Sequence, residues 1–183
     1  MAYLVRAINR ENWPEPEDNI QICDLDADAL NDLKTSENKL STWYAEDETK
    51  IKEAILAYLG TMDKWVKRDM QEFIVINIDD ITKAAITVIA EPNKTYIKDY
   101  DILHRDLAQL KYLDVEHLAG IFMNTLKFGE LHVLSSQDIR KLFISAVKRG
   151  LISSSTNFEN NHKKFKNYIK EIEDELAGTT INC

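Results

Sequence analysis

The chain has 183 residues, of which 44% are hydrophobic and 30% are charged, and its formal net charge is −8. This composition is typical of a folded globular protein, is too apolar for a disordered chain, and includes no run of eighteen apolar residues that could span a bilayer. We therefore expect one compact unit without a membrane segment.

The first residues and the cysteines indicate a cellular compartment. Residues 1–10 alternate like a β-strand and contain no basic region followed by an apolar stretch, so they do not predict an export signal. The two cysteines, Cys23 and Cys183, are far apart and form no Cys-x-x-Cys pair. Neither a disulfide framework nor a zinc site is predicted, and reduced thiols in the cytoplasm are the expectation.

The first half of the chain predicts strands separated by helices. Residues 3–9, 19–23, 39–45 and 73–78 have the β-branched and aromatic bias of strands. Residues 27–34 and 48–59 have a helical pattern, with Gly60 closing the second helix. The segment that follows residue 78 predicts a short helix through Ala85 and then a strand to Ala90.

From Ile102 onward the pattern is helical throughout. One apolar stripe includes Leu103 and Leu107, and another is formed by Leu118, Phe122 and Leu126. Two Ser/Thr-x-x-Asp/Glu boxes predict helix starts, since the hydroxyl can accept a hydrogen bond from an amide of the first turn. The boxes are Ser135 with Asp138, and Thr156 with Glu159.

These elements predict an α+β fold. Residues 1–114 form the mixed portion, with a small mixed β-sheet and helices. Residues 115–183 form a C-terminal group of about four helices, and we expect the two portions to pack as one compact unit.

Three short motifs resemble catalytic or metal-binding motifs, but each lacks residues that the corresponding site requires. Ser36 and Lys39 have the spacing of a serine nucleophile and its lysine base, but the companion motifs of that enzyme class are missing. The segment 104–107, His-Arg-Asp-Leu, copies the start of a kinase catalytic loop, although Lys111 occupies the position of the metal-binding asparagine. We interpret the first motif as a turn and the second as the polar start of an amphipathic helix.

The third motif, Asp-Leu-Asp-Ala-Asp at 24–28, imitates the first half of a calcium loop. Ala29 occupies the position of the glycine that such a loop requires, and Thr35 that of its bidentate glutamate. The five glycines of the chain are dispersed, so no phosphate-binding loop can be built from them. We therefore predict no catalytic residue, no cofactor and no metal.

Charge is distributed unevenly along the sequence. Residues 135–170 contain eight basic and two acidic side chains, whereas the rest of the chain is acidic. This layout indicates either a docking face for an anionic partner or solvated helix faces. The candidate partner-binding residues are the cations Lys148, Arg149, Lys163, Lys164 and Lys166, together with Trp43. Trp43 either forms an exposed aromatic patch with Trp13 and Trp65 or lies, like most tryptophans, in the core.

Two function classes follow from these observations. The first is a non-catalytic protein-interaction component of a prokaryotic system: a small subunit, an adaptor, or an antitoxin- or immunity-like factor. Its acidic front would dock on a basic partner, and apolar faces of its helices would bind a partner protein or form a homo-oligomer.

The second class is a nucleic-acid-binding protein that uses the basic helices of residues 135–170, with or without nuclease activity. Residues 128–153 resemble the helix-turn-helix part of a winged-helix domain, which would place Lys148 and Arg149 at the end of its capped helix. The segments on either side do not match the preceding helix and the wing that such a domain requires. No carboxylate motif of a metal-dependent nuclease is recognisable.

Overall fold

The protein folds into one six-stranded antiparallel sheet with helices on both faces, which confirms the α+β class. The computed structural model describes residues 1–15, 21–61, 69–128, 131–158 and 162–180. The strands are β1 (Tyr3–Ile8), β2 (Leu40–Ala45), β3 (Met70–Asn77), β4 (Thr87–Ala90), β5 (His104–Ala108) and β6 (Leu131–Ser135). The α-helices are α1 (Ile51–Leu59), α2 (Ile78–Lys83), α3 (Tyr112–Phe128), α4 (Ser136–Lys148) and α5 (Lys163–Thr180).

The strand order is β4-β5-β2-β1-β3-β6, and each neighbouring pair is antiparallel. Because successive side chains of a strand point to opposite faces, the central strands supply two cores. Val5, Trp43 and Phe73 face the first core, where they pack with α1, α4 and α5. Leu4 and Ile74 face the second core, where they pack with α2 and α3.

Several predicted elements are confirmed. β1, β2 and β3 form where the β-branched and aromatic residues are concentrated, and Leu40 and Trp43 lie in opposite cores as the alternation predicts. The predicted helix at 48–59 is a short 3-10 turn followed by α1. The helix and strand predicted after residue 78 are α2 and β4.

The helical prediction for residues 102–108 is wrong, because His104–Ala108 is strand β5. The helix was predicted from the apolar residues Leu103 and Leu107, which are four residues apart. Two side chains with this spacing lie on the same side of a helix and also on the same side of a strand. Hydrogen bonding to β2 and β4 selects the strand. The helical prediction for the C-terminal portion also omitted strand β6, which pairs with β3.

The predicted strand at 19–23 is also wrong for the residues that the structure describes, because Ile22–Asp24 is a 3-10 turn. The predicted helix at 27–34 is a shorter 3-10 segment, Ala27–Asn31. Three aspartates, Asp24, Asp26 and Asp28, alternate through this stretch, and aspartate favours local hydrogen bonds over long regular elements.

One of the two predicted capping boxes is confirmed. Ser135 accepts a hydrogen bond from the amide of Asp138, and the Asp138 carboxylate accepts one from the amide of Ser135. The second box does not begin α5, since that helix starts at Lys163. Thr156 instead accepts a hydrogen bond from the amide of Ser153, and Glu159 lies outside the described residues.

Gly60 ends α1 for a reason that the sequence did not show. Its φ is −74°, so it does not need the left-handed conformation expected of a terminal glycine. A Cβ at this position would lie 2.3 Å from Oγ1 of Thr95 and 2.5 Å from Cγ1 of Ile97. The glycine therefore permits the close approach of the segment that follows β4.

Candidate functional site

The five predicted basic residues lie at one end of the α4–α5 pair. Arg140 forms an ion pair with Glu175, while the Phe143 ring is 5.3 Å from the Phe165 ring, so the two helices run antiparallel. This arrangement brings the end of α4 next to the start of α5. We define the basic patch as the exposed cations at this end: Lys148, Arg149, Lys163, Lys164 and Lys166.

None of the five cations of the basic patch forms an ion pair with another residue in the part of the chain that the structure describes. Elsewhere on the same helices, cations are paired: Arg140 with Glu175, and Lys141 with Asp138 at 3.2 Å. The Glu175 carboxylate raises the pKa of Arg140, which stays charged. The first turn of α5 contains no acidic residue, so three lysines of the basic patch oppose the dipole of their own helix.

Aromatic contacts fix the segment that joins α4 to α5. The Tyr96 ring lies 4.9 Å from the Phe158 ring and 5.2 Å from the His162 ring, and Phe158 in turn lies 5.5 Å from Phe165. The amide of Lys98 donates a hydrogen bond of 2.8 Å to the carbonyl of Leu151. The two helix ends that form the basic patch are therefore held together by packing.

Trp43 does not belong to a surface. It is 2% exposed in the first core, and its ring lies 4.9 Å from the His104 ring. Trp13 is 3% exposed and donates a hydrogen bond from Nε1 to Asp32. The predicted exposed aromatic patch is wrong for both residues, because large apolar rings gain more by burial in the two cores. Trp65 lies outside the described residues.

A polar cluster with a buried centre, which sequence reasoning missed, joins β2 to β5. Asp106 is 4% exposed, accepts a hydrogen bond from the hydroxyl of Ser41 at 3.1 Å, and lies 3.8 Å from Nζ of Lys39. Nε2 of His104 lies 3.5 Å from the Asp106 carboxylate. Glu91 completes this polar cluster through an ion pair with Lys39.

Burial and pairing shift the pKa values of these groups in definite directions. Burial lowers the pKa of His104, although the nearby Asp106 carboxylate acts in the opposite direction. Nδ1 of His104 lies 2.9 Å from the carbonyl oxygen of Glu91, so Nδ1 carries the proton of the neutral ring. The Lys39 ammonium lowers the pKa of Glu91, and Glu91 raises that of Lys39.

The order of groups in the polar cluster does not suit nucleophilic catalysis. A serine nucleophile needs a base that takes its proton and a third group that orients the base. Here the Asp106 carboxylate lies between Ser41 and His104, so the imidazole does not reach the hydroxyl. The pattern that could have revealed this cluster is His104-x-Asp106, two polar residues on one face of a strand.

The Ser36 and Lys39 motif is a turn, as predicted. Each of these residues donates a backbone hydrogen bond to the other, at 3.0 and 2.9 Å. The two residues between them, Glu37 and Asn38, both have positive φ, as in the tight turns that join antiparallel strands. The backbone geometry thus accounts for the spacing without a catalytic role.

The residues before α4 exclude a helix-turn-helix arrangement. The strand β6 ends at Ser135, and α4 begins at Ser136. The helix that precedes α4 is separated from it by this strand, whereas a recognition helix follows its neighbour across a short turn. The similarity of residues 128–153 to a winged-helix domain therefore does not extend to the fold.

Within the described ranges, no group of three or more histidine, cysteine or acidic side chains is arranged to hold a metal ion. No helix in those ranges has the length and apolar character needed to cross a membrane. Comparison with protein families, with curated proteins and with solved structures finds no match to this chain.

Proposed function

We propose that this protein is a non-catalytic interaction component that docks through the basic patch on an acidic surface of another protein. The observation that carries the proposal is the set of five exposed cations which packing brings together and which no described residue neutralises. Unpaired charge at one place on a surface steers association with a partner of opposite charge.

The negative charge of the rest of the chain favours a partner whose acidic surface is no larger than the basic patch. Without the five cations of the basic patch, the formal charge would change from −8 to −13. A long polyanion such as DNA would extend beyond the patch and would meet this acidic surface, whereas an acidic region of a protein can match the patch in size. We therefore favour a protein partner over nucleic acid.

The apolar faces of α4 and α5 do not provide the interface. Ile139 and Phe143 of α4, and Phe165 and Ile169 of α5, are buried in the first core. An interface formed through the basic patch is thus polar, and its association rate falls as salt screens the charges.

The test is affinity capture of the tagged protein from its own cells, with and without nuclease, followed by mass spectrometry. We expect a stoichiometric protein that survives nuclease and that dissociates as the salt concentration rises. Loss of all bound material after nuclease would favour the nucleic-acid alternative, for which the same five cations are the supporting observation.

A charge-matched pair of variants assigns the interaction to the basic patch. The first variant carries Lys148→Glu and Lys164→Glu. The control carries Lys34→Glu and Lys52→Glu, which change the net charge equally at exposed positions on other elements. Only the first variant should lose the partner, and equal loss from both would contradict the assignment.

Self-association is tested by light scattering. The acidic remainder of a second copy is itself an anionic surface, so a homo-oligomer that dissociates in salt would identify the partner as this chain. A salt-insensitive monomer that retains no protein would overturn the proposal.

A further inference from the structure

A groove of about 1040 Å³ lies between α2, α3, the start of α1 and the ends of β1 and β3. Its volume is at the upper end of the range of small-molecule sites. None of the residues of the basic patch or of the polar cluster lines this groove. It is therefore a separate feature of the fold.

The helical walls of the groove are lined by residues with little or no side chain. Gly120 of α3 lines the groove, and Ala84 and Ala85 line it just after α2. These two helices contact each other, and Val75 and Ile121 add apolar surface. The Ile22 side chain, which also lines the groove, packs over Gly120, and the small residues Ala84 and Ala85 leave space for a flat apolar ring.

Two exposed hydrogen-bonding side chains on the groove face of α3 have no partner among the described residues. His117 and Asn124 are seven residues apart, which places them on one side of the helix. Neither side chain forms a hydrogen bond with another residue in the described part of the chain. Asn124 offers both a donor and an acceptor, and His117 offers one ring nitrogen of each kind when neutral.

Other polar residues of the groove are already engaged. The Tyr3 hydroxyl donates to Glu48 at 3.1 Å, and Asn77 accepts from the amide of Asp79. Lys83 forms an ion pair with Asp80 at 3.0 Å. The groups left for a ligand are thus those of α3.

The charges of the residues that line the groove disfavour an anionic ligand. Glu48 and Asp80 supply two carboxylates, whereas Lys83 supplies one ammonium, and Asp80 already neutralises that ammonium. A phosphate placed here would meet a net negative lining. An uncharged ligand would meet no such repulsion.

From these observations we infer that the groove binds an uncharged, planar heterocycle of the nucleobase or nucleoside type. The ring would pack against Ile22, Ala84 and Ala85, with its hydrogen-bonding edge toward Asn124 and His117. Amide side chains suit such an edge because one amide can donate to a ring and accept from it.

The experiment is a titration of the full chain with adenosine, guanosine, cytidine and uridine, followed by ¹H–¹⁵N NMR. Each nucleoside is compared with its 5′-monophosphate, which adds only the charged group. We expect saturable shifts at His117 and Asn124 with at least one nucleoside, and weaker binding of the corresponding monophosphate.

Matched variants locate the site. Asn124→Trp fills the groove, whereas Glu116→Trp places the same side chain at an exposed position of α3 outside the groove. We expect Asn124→Trp to weaken binding about tenfold or more and Glu116→Trp to leave it unchanged. His117→Leu, which removes hydrogen bonding without filling the groove, should weaken binding by a smaller factor.

Three results would overturn the inference. They are an absence of saturable shifts with all four nucleosides at millimolar concentration, tighter binding of the monophosphate, and equal weakening by the two tryptophan variants. Because the basic patch lies outside the groove, none of these results bears on the proposed docking function.

Discussion

The basic patch and the polar cluster both concentrate charge, but the protein treats the two differently. In the polar cluster, Asp106 is almost fully buried and is surrounded by Ser41, His104 and Lys39. In the basic patch, the cations are exposed and have no acidic neighbour within the described residues. The first set of charges is satisfied inside the chain, and the second is available to a partner.

The difference follows from the free energy of desolvation. A charge that is buried without a partner costs several kcal/mol, so Asp106 is tolerated only with its polar neighbours around it. An exposed lysine keeps its water and costs the fold little. Changes in the polar cluster should therefore alter stability, whereas changes in the basic patch should alter binding.

The largest effect is expected where packing creates the basic patch. Phe143 is fully buried and packs edge-to-face against Phe165 and Tyr168. Phe143→Ala should lower the free energy of unfolding by about 4 kcal/mol, measured in urea. It should also weaken partner capture, because α5 loses its main contact with α4. Phe143→Leu, the control, should retain most of both properties.

Breaking the polar cluster should have the next largest effect. Asp106→Ala leaves the Ser41 hydroxyl without its acceptor and removes the carboxylate beside Lys39, and it should lower the free energy of unfolding by about 2 kcal/mol. Asp106→Asn keeps the volume and an acceptor for Ser41, so its loss should be smaller. Capture of the partner by folded Asp106→Ala should be unchanged, and impaired capture would remove the contrast between the two regions.

Acid should destabilise the polar cluster. Burial lowers the pKa of His104 below its ordinary value of 6.5, so the unfolded chain binds the proton more readily than the folded chain. The contribution of His104 to stability is complete above pH 6.5 and decreases as the pH falls below that value. Glu91, whose pKa is also lowered, adds a further loss below about pH 4.5.

Urea unfolding at a series of pH values tests this dependence. His104→Asn removes the titrating ring and should flatten the stability profile between pH 7 and 5.5. An unchanged slope in this variant would assign the acid sensitivity to other groups.

The smallest predicted change in the free energy of unfolding is an increase, whereas the changes above are decreases. Lys164 lies in the first turn of α5, where a cation opposes the helix dipole. Lys164→Glu should therefore raise the free energy of unfolding by about 0.5 kcal/mol while it weakens partner binding. Lys170→Glu, in the middle of the same helix, lacks this gain and serves as the control. A loss of stability in Lys164→Glu would show that the lysine has a structural role.

The contrast between β2 and β5 shows how much of the fold was predictable. β2 alternates Leu40, Thr42 and Tyr44 with Ser41 and Trp43, and its position and faces were predicted. β5 has polar residues, His104 and Asp106, on a buried face, which alternation of apolar and polar residues cannot identify as a strand. Their burial depends on Lys39 and Glu91, which are distant in sequence.

For the candidate binding residues, too, one part could be predicted from the sequence and another part could not. Exposure of the five cations follows from their polar character, and the uneven charge along the chain identified them. Their common location depends on the antiparallel packing of α4 and α5, which a single sequence does not specify. The sequence left Trp43 either exposed or buried, because an aromatic residue in a strand is compatible with either face.

The sequence by itself determined the α+β class, most of the central strands, the Ser36–Lys39 turn and the capping box of α4, because these depend on neighbours a few residues apart. The tertiary structure decided the strand order, the addition of β5 and β6 to the sheet, the polar cluster, the groove and the assembly of the basic patch. These features join residues that are distant in the chain, and their free energy comes from burial and pairing between elements, which local patterns do not contain.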